Sequence, residues 1–444
     1  MTFPVHSYRD AITTMADGTI KQINPFSGTQ VWTVPGRGNR PISKPVKDPQ
    51  PLTDEDFTHS CAFCEAFPLK TPPEKSRMIK GHDGDWHILR GLLPSEMDQT
   101  QAYYRRVPNL FEIVSYDYWV KNYGFQMDSE TAFQMGRYLA DEQGRQHVID
   151  IVRTRMNASG GAGDTKTDEE LLELAPTYFA GGHDVIVSRR HYEDGATNTS
   201  QLASSGTMTP DEHYGFIAFT IDSMRDLYER NRYAPYVVVF QNWLAPAGAS
   251  FDHLHKQLVA IDERGVQTDM EIQKLRTNPN MYNEWGVNYA SYKNLVIAEN
   301  DYAILIAGFG HRYPTMGLYS KSATSEPWLH TPEEIRGMSD LLHACHAAAG
   351  PDVACNEEWH HKPVDLDIPM PWRINVKWRV STLAGFEGGT KVYVNTLSPY
   401  NIRDRVVSAM YRLRAEGRID STIRIATECT PARNVLKYNP ALNV

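Results

Sequence analysis

Hydrophobic and polar residues alternate over short segments of this chain, and the period of the alternation changes several times. Period-two segments, which predict strands, are "HDVIVSRRHY" from residue 183, "YVVVFQNW" from residue 236 and "SFDHLHKQLVA" at 250–260. Helical spacing is found at about 125–175, at about 210–231 and after Thr331, which can cap a helix opened by Pro332. This irregular mixture, with hairpin-like pairs of strands, predicts an α+β fold with antiparallel sheets flanked by helices.

Two parts of the chain share one layout, which indicates a degenerate internal duplication. "VVFQNW…FDHLHKQLVA" and "VACNEEW…PWRINVKWRV" each give a strand, an Asn, a Trp, a loop and an alternating strand. Histidines in the first copy correspond to Pro371 and Arg373 in the second. We therefore expect two domains, a catalytic one at 1–265 with a helical insertion at about 125–175, and a second at 266–444 without its own reaction centre.

Composition narrows the class of protein. The chain has 444 residues, of which 41% are hydrophobic and 22% charged, as in ordinary globular domains. It has no apolar run long enough for a membrane span and no secretion signal, so neither a membrane nor a secreted location is expected. The net charge of -9 argues against nucleic acid as a partner. Five cysteines without a signal fit a reducing cytoplasm better than a disulfide framework.

The segment 250–260 carries an unusual polar face. If it is an extended strand, His253, His255 and Gln257 point to one side and Leu254 and Lys256 to the other. A neutral imidazole can attack phosphorus, provided that donors surround the phosphate oxygens. Ser250, Gln257 and the turn "PAGAS" supply such donors, and Arg37 and Arg40 can hold a second phosphate. The alternative is a surface strand with two solvated histidines.

Cys61 and Cys64 form a C-x-x-C motif that can direct two thiolates to one ion. Zinc favours four tetrahedral sulfur or nitrogen ligands, and the chain has no second C-x-x-C, so histidines would complete the site. His191 and His253 are the best placed by motif. Two loop thiols without a metal are the alternative.

Six motifs between residues 23 and 395 resemble, in order, those of the galactose-1-phosphate uridylyltransferase family in the histidine-triad superfamily. The segment "NPFSGTQVWTVPGRGNRP" is similar to that family's opening motif, and "CAFC…TPPE", "RRVPNLF" and "GGHDVIVSRRH" follow in the family's order. "FQNWLAPAGASFDHLHKQ" is similar to the motif around the family's reactive histidine. "NEEWHHKP…PWRINVKWRVSTLAGFEGGT" resembles the branch that contains NDP-sugar phosphorylases.

The resemblance implies a role for each matching residue. It makes His255 the nucleophile, with Ser250 and Gln257 on the phosphate oxygens. The remaining implied roles are nucleotide contacts for Asn109 and Asn242, phosphate contacts for Arg37 and Arg40, sugar contacts for Glu387, and structural zinc ligation for Cys61, Cys64, His191 and His253. Members of the family usually pair, so a homodimer is an expected assembly.

Several positions depart from the family pattern. Leu254 and Lys256 replace a proline and a small residue, and Lys256 should face away from His255. Pro371 and Arg373 replace histidines that bind a second metal in some members, so we expect no second metal site. His360 then has a packing or substrate role, and the helical insertion would reshape the acceptor pocket.

The expected function is therefore nucleotidyl transfer through a covalent nucleotidyl-histidine. In the main interpretation, the donor is an NDP-sugar and the acceptor is a sugar 1-phosphate. The alternative is an NDP-sugar or dinucleoside polyphosphate phosphorylase that uses inorganic phosphate as acceptor. A second alternative is a non-catalytic nucleotide-binding protein.

Overall fold

The computed structural model describes residues 11–36, 42–43, 46, 48–381 and 383–442. Its strands are β1 (Ile12–Thr14), β2 (Ile20–Ile23), β3 (Gln30–Thr33), β4 (Ser76–Lys80), β5 (Trp86–Arg90), β6 (Tyr104–Pro108), β7 (His183–Ser188), β8 (Tyr236–Trp243), β9 (His255–Ile261), β10 (Val296–Glu299), β11 (Ala303–Ala307), β12 (Thr315–Ser320), β13 (Cys355–His360), β14 (Arg373–Trp378), β15 (Val392–Asn395) and β16 (Arg424–Ile425). The α-helices are α1 (Asp56–His59), α2 (Tyr116–Tyr123), α3 (Ser129–Ala140), α4 (Glu142–Ala158), α5 (Asp168–Leu172), α6 (Thr177–Ala180), α7 (Pro210–Arg230), α8 (Val266–Thr277), α9 (Tyr289–Tyr292), α10 (Pro332–Ala349), α11 (Gly385–Thr390) and α12 (Pro399–Ala415).

Within the described residues, one sheet of twelve strands runs through both parts of the chain in the order β16-β10-β11-β12-β14-β13-β8-β9-β7-β6-β4-β5. Its neighbouring strands are antiparallel wherever they pair. A separate sheet of order β1-β2-β3-β15 joins the beginning of the chain to its last third. Helices α7 and α10 lie against each other on one face of the large sheet, where His213 Nδ1 and Ser339 Oγ are 2.7 Å apart. The α+β class with antiparallel sheets flanked by helices is confirmed.

The degenerate duplication is confirmed as well. From the centre of the sheet outward, β8, β9, β7, β6 and β4 follow one another on one side, and β13, β14, β12, β11 and β10 follow in the same succession on the other. The two series meet where β8 pairs with β13, with Asn242 opposite Asn356. The register of the paired strands matches too. Strands β9 and β7 of the first copy correspond to β14 and β12 of the second. His255 on β9 lies opposite Val187 on β7, and Arg373 on β14 lies opposite Tyr319 on β12. Arg373 therefore occupies the position in the second copy that His255 has in the first.

The two long helices of the copies begin with the same local chemistry. Thr209 and Thr331 each accept a hydrogen bond from the backbone N–H three residues later, and a proline follows each threonine. That third residue is a glutamate in both helices, and its carboxylate accepts a hydrogen bond from the threonine's own backbone N–H. The two reciprocal bonds complete a capping box in each helix. The cap predicted at Thr331 is thus present. The boundary at residue 265 between two domains stays a prediction.

Two predictions from the periodicity are refined by the structure. The strand predicted at 250–260 begins only at His255, because residues 250–254 form a bend that leads into it. The helical insertion contains α2 to α6, between β6 and β7, with a small hydrophobic core of its own around Val148, Val152 and Tyr178. None of the described helices is both long and apolar enough to traverse a bilayer.

Candidate active site and metal centre

His255 is the first residue of β9, and the residue is 6% exposed. The ring Nδ1 lies 2.8 Å from the carbonyl oxygen of His253, so the proton sits on Nδ1 and is donated to that carbonyl. Burial lowers the pKa of the imidazole, which favours the neutral form at neutral pH. Nε2 is then left with a free lone pair, which is the arrangement that a nucleophilic histidine requires.

Gln257 lies two residues further along the same face and is oriented by two neighbours. The Ile113 backbone N–H donates to His183 Nδ1 at 3.1 Å, so the other ring nitrogen carries the proton. That Nε2–H donates to Gln257 Oε1 at 3.0 Å, and Asn109 Nδ2 donates to the same oxygen at 3.3 Å. Because both donors hold the amide oxygen, the Gln257 NH₂ group remains available to phosphate oxygens.

The loop between β8 and β9 supplies the remaining polar groups. Ser250 is exposed and makes no hydrogen bond with any described residue, so its hydroxyl is free to meet a ligand. Asn242 Oδ1 accepts a hydrogen bond from Asn356 Nδ2 at 2.7 Å, and Asn356 also donates to the Ala247 carbonyl at 2.8 Å. The second half of the chain therefore fixes the loop that precedes His255.

Cys61, Cys64, His191 and His253 form a cluster whose ligand atoms all lie within 4.8 Å of one another. Cys61 Sγ is 3.8 Å from Cys64 Sγ, and each sulfur is 3.5 Å from His191 Nδ1. His253 Nδ1 lies 3.5 Å from Cys61 Sγ and 3.8 Å from Cys64 Sγ. Three separate segments thus bring two sulfurs and two imidazole nitrogens to one point.

These distances fit a tetrahedral metal ion. Bond lengths of about 2.3 Å to sulfur and about 2.05 Å to nitrogen place tetrahedral ligands about 3.8 Å (S to S) and about 3.6 Å (S to N) apart. His253 Nε2 lies 2.6 Å from the Ser188 carbonyl oxygen, so it donates there and leaves Nδ1 to face the cluster. The donor set and the outer hydrogen bond are both those of a structural zinc site. The cluster can therefore bind a metal.

Phe63, between the two cysteines, connects this cluster to His255. Its ring lies 5.4 Å from the His255 ring in an edge-to-face arrangement and 4.6 Å from Phe251. It also covers Val107, Val185 and Val187 on the adjacent strands. Any ion that fixes the C-x-x-C segment therefore also fixes an aromatic wall beside His255.

Other predicted residues lie elsewhere. Glu387 accepts a hydrogen bond from the Ala384 N–H at the start of α11 and contacts neither His255 nor Gln257. Arg37 and Arg40 lie outside the described residues. Lys256 points to the opposite face from His255, as predicted, with its Nζ 4.9 Å from the Phe216 ring centre on α7.

In the second copy, Arg373 is 4% exposed and forms an ion pair with Glu271. His360 Nε2 lies 3.2 Å from Asn375 Nδ2 on the same strand pair. The position that corresponds to His255 is thus filled by a guanidinium and its carboxylate partner.

Sequence reasoning missed His183 and Phe63 as members of the site. His183 lies inside the "GGHDVIVSRRH" motif, so its motif membership could have suggested a role. No signal in the sequence indicates that the Phe63 ring reaches His255, because that contact joins residues almost two hundred positions apart.

Comparisons with known proteins agree with this architecture. An ADP-glucose phosphorylase of Arabidopsis thaliana is 26% identical over 180 residues, which are 38% of this chain and 50% of that protein. The chain thus matches only about half the length of this curated relative.

Two solved structures from Arabidopsis thaliana share the fold. An ADP-glucose phosphorylase with bound ADP-glucose superimposes with a TM-score of 0.55, and a GALT-like protein with 0.53. Each is 17% identical, over 87% of this chain and 98% of the other. The predicted resemblance to galactose-1-phosphate uridylyltransferase-like proteins is confirmed. A family model described as a domain of unknown function (DUF4921) matches residues 15–438, so the chain belongs to that family, with a galactose-1-phosphate uridylyltransferase-like fold.

Proposed function

We propose that this protein is an NDP-sugar phosphorylase that works through a nucleotidyl-His255 intermediate. The observation that carries the proposal is the buried His255, whose Nδ1–H donates to the His253 carbonyl and whose Nε2 is free. The resemblance to proteins named ADP-glucose phosphorylase supports inorganic phosphate as acceptor over the sugar 1-phosphate of the main interpretation.

The reaction has two displacements at one phosphorus. His255 Nε2 forms a bond to the α-phosphorus of the NDP-sugar, the bond from that phosphorus to the bridging oxygen breaks, and sugar 1-phosphate leaves. A phosphate oxygen then attacks the same phosphorus, the N–P bond breaks, and a nucleoside diphosphate leaves with Nε2 restored. Between the steps the imidazole is positively charged, and the His253 carbonyl that accepts from Nδ1 stabilises this charge.

Other residues act on the transferred group. The Gln257 amide and the Ser250 hydroxyl donate to the non-bridging oxygens, where negative charge grows in each displacement. His183 and Asn109 hold Gln257 in the orientation that allows this. In this proposal Arg37 and Arg40 contact phosphates, Asn242 contacts the nucleotide, and Glu387 contacts sugar hydroxyls.

We further infer that Cys61, Cys64, His191 and His253 hold a zinc ion. When bound, the ion supplies a rigid crosslink rather than an activated water, because all four ligand positions are taken by protein. The crosslink fixes His253, whose carbonyl orients His255, and Phe63, whose ring lies against it.

The proposal is tested by incubating the protein with UDP-, ADP- and GDP-sugars and measuring intact mass and released sugar 1-phosphate. A nucleotidyl adduct is expected with at least one donor, absent in His255→Ala and retained in His82→Ala, which removes an exposed histidine. Phosphate should then discharge the adduct to a nucleoside diphosphate. Discharge by sugar 1-phosphate alone would restore the main interpretation, and no adduct with any donor would leave only the non-catalytic alternative.

A further inference from the structure

A cavity of about 210 Å³ lies behind the C-x-x-C segment, on the side of Phe63 away from His255. Arg105, Arg77 and Arg189 all line it, together with the Ser188 backbone region that accepts from His253. Three guanidinium groups around one small space are unusual, because each brings a charge that burial disfavours. What differs among them is how that charge is balanced.

Arg77 is fully accommodated by protein groups. Its Nε and one terminal nitrogen donate to the two carboxylate oxygens of Glu74, at 2.5 and 3.2 Å. The other terminal nitrogen donates to the carbonyls of Met97 and Thr100, at 2.7 and 2.9 Å. Arg77 therefore forms a rigid, neutralised wall of the cavity.

Arg105 has no such balance. It is 8% exposed, and within the described residues it forms no ion pair with a carboxylate. Its two hydrogen bonds go to neutral oxygens, to the Phe63 carbonyl at 3.1 Å and to Thr71 Oγ1 at 3.5 Å. A guanidinium has five N–H donors, so three have no acceptor among the described residues. The Glu74 carboxylate and the sulfurs of Cys61 and Cys64 lie nearby, but Glu74 is already paired with Arg77 and a bound metal ion would neutralise two thiolates.

Arg189 is the second cation that forms no ion pair with any described residue. Its guanidinium stacks over the Tyr103 ring, 5.1 Å from the ring centre, and among the described residues it forms no ion pair and no side-chain hydrogen bond. Its Nε is buried and has no acceptor in the part of the chain that the structure describes. Water can satisfy some of these donors, and the carboxylates that line the cavity, Glu65 and Asp98, are exposed at its mouth and pair with neither guanidinium.

We propose that this cavity binds the phosphate group of a small ligand, with Arg105 and Arg189 as its two cationic contacts. Guanidinium groups suit phosphate because their paired N–H donors match two phosphate oxygens. The volume accommodates inorganic phosphate or a small phosphate monoester and is too small for a nucleotide sugar. The exposed carboxylates of Glu65 and Asp98 at the mouth can accept hydrogen bonds from the hydroxyls of an ester.

The site is separate from the reaction centre. Arg105 lies opposite Val187, and Val187 lies opposite His255, so two strand spacings, about 10 Å, separate the Cα atoms of Arg105 and His255. Phe63 forms the wall between them, and its backbone carbonyl and ring contact Arg105 and His255 respectively. An anion at this position would therefore bind independently of nucleotidyl transfer, and the test of one does not decide the other.

The test is calorimetric titration of the metal-loaded protein with inorganic phosphate and, separately, glycerol 3-phosphate, at ionic strength held constant with sodium chloride. Arg189→Met should weaken binding by about tenfold, since one charged contact is lost. Arg105→Lys, which keeps the charge and removes the fork, should weaken binding as well, with folding checked by circular dichroism. Tighter binding of the ester than of phosphate would assign the ligand to the monoester class, and the reverse to inorganic phosphate.

Controls separate this site from the reaction centre and from general attraction. Gln257→Ala should leave the binding that Arg189→Met weakens unchanged, because Gln257 does not line the cavity. Arg137→Met removes an exposed arginine paired with Glu96 and should have no effect. The proposal is overturned if neither ligand binds, if Arg189→Met binds as the natural protein does, if Gln257→Ala alone abolishes binding, or if Arg137→Met weakens it equally.

Discussion

Lys256 and Glu357 form a buried ion pair between the two copies, and replacing the lysine alone should destabilise the protein strongly. Both side chains are 0% exposed, one on β9 and the other on β13. Lys256 Nζ contacts a carboxylate oxygen of Glu357 and donates to Gln241 Oε1 at 3.3 Å. Lys256→Met would leave the Glu357 carboxylate buried in the core without the lysine that neutralises its charge.

The size of the effect follows from which partners remain. Glu357 would keep hydrogen bonds from Trp359 Nε1 at 2.6 Å and His346 Nε2 at 2.8 Å, so the loss is mainly of charge compensation. Burial raises the pKa of Glu357, but Lys256 and His346 outweigh it and hold the pKa well below its usual range, so the carboxylate is charged. Removing one partner of such a pair costs about 3–5 kcal/mol. The double variant Lys256→Met/Glu357→Gln removes both charges and should lie within about 2 kcal/mol of the natural protein.

The assay is denaturant unfolding of the metal-loaded proteins, with Lys121→Met as a matched control. Lys121 pairs with Asp117 on the surface, at 71% and 63% exposure, so its loss should cost less than about 1 kcal/mol. The reasoning is refuted if Lys256→Met costs no more than that control, or if the double variant is as unstable as the single one. Adduct formation at His255 should survive in the double variant, because Lys256 faces the helices.

Two further predictions concern the metal centre and acid stability. Cys61→Ser should lose the bound metal, measured by elemental analysis, whereas Cys429→Ser outside the cluster should retain it; retention in both would remove Cys61 from the ligand set. Burial lowers the pKa of His343 to about 4, against about 6.5 when unfolded, so the unfolded chain binds the proton more readily. Stability from this group is therefore complete above about pH 6.5 and falls by up to ~1.4 kcal/mol per unit towards pH 4. Unfolding midpoints measured between pH 7 and 5 should show a shallower slope in His343→Gln, and an unchanged slope would contradict the assignment.

Much of the fold could be predicted because its determinants are local. Period-two and helical patterns gave the element types, and the repeated strand, Asn and Trp layout indicated the duplication. The threonine-proline helix start at Thr331 has a counterpart in the first copy at Thr209, which strengthens the same conclusion. These patterns arise from residues that are close in the sequence, so they are visible without the tertiary contacts.

The details of the site depend on contacts that a sequence does not display. The segment 250–260 was predicted as one strand with His253 and His255 side by side on one face. In the structure His253 precedes the strand, because its ring turns to the cysteines and its Nε2–H donates to Ser188. The carbonyl of His253 is thereby presented to His255 Nδ1. His253 thus contacts the two cysteines with its side chain and His255 with its backbone.

The second copy shows why the same scaffold position does not suffice for chemistry. Arg373 has the register of His255, yet its guanidinium keeps its proton under all ordinary conditions and offers no lone pair. The Arg373 guanidinium forms an ion pair with Glu271, and its central carbon lies 5.0 Å from the centre of the Tyr282 ring. These two contacts fix the Arg373 side chain in the core. Placing a histidine there would leave Glu271 without its cation. Asn375, which has the register of Gln257, lies against His360 instead of between a histidine and an asparagine. The proposed reactivity of the first copy therefore depends on the oriented carbonyl and amide around the His255 imidazole, whereas a buried ion pair occupies the corresponding position in the second copy.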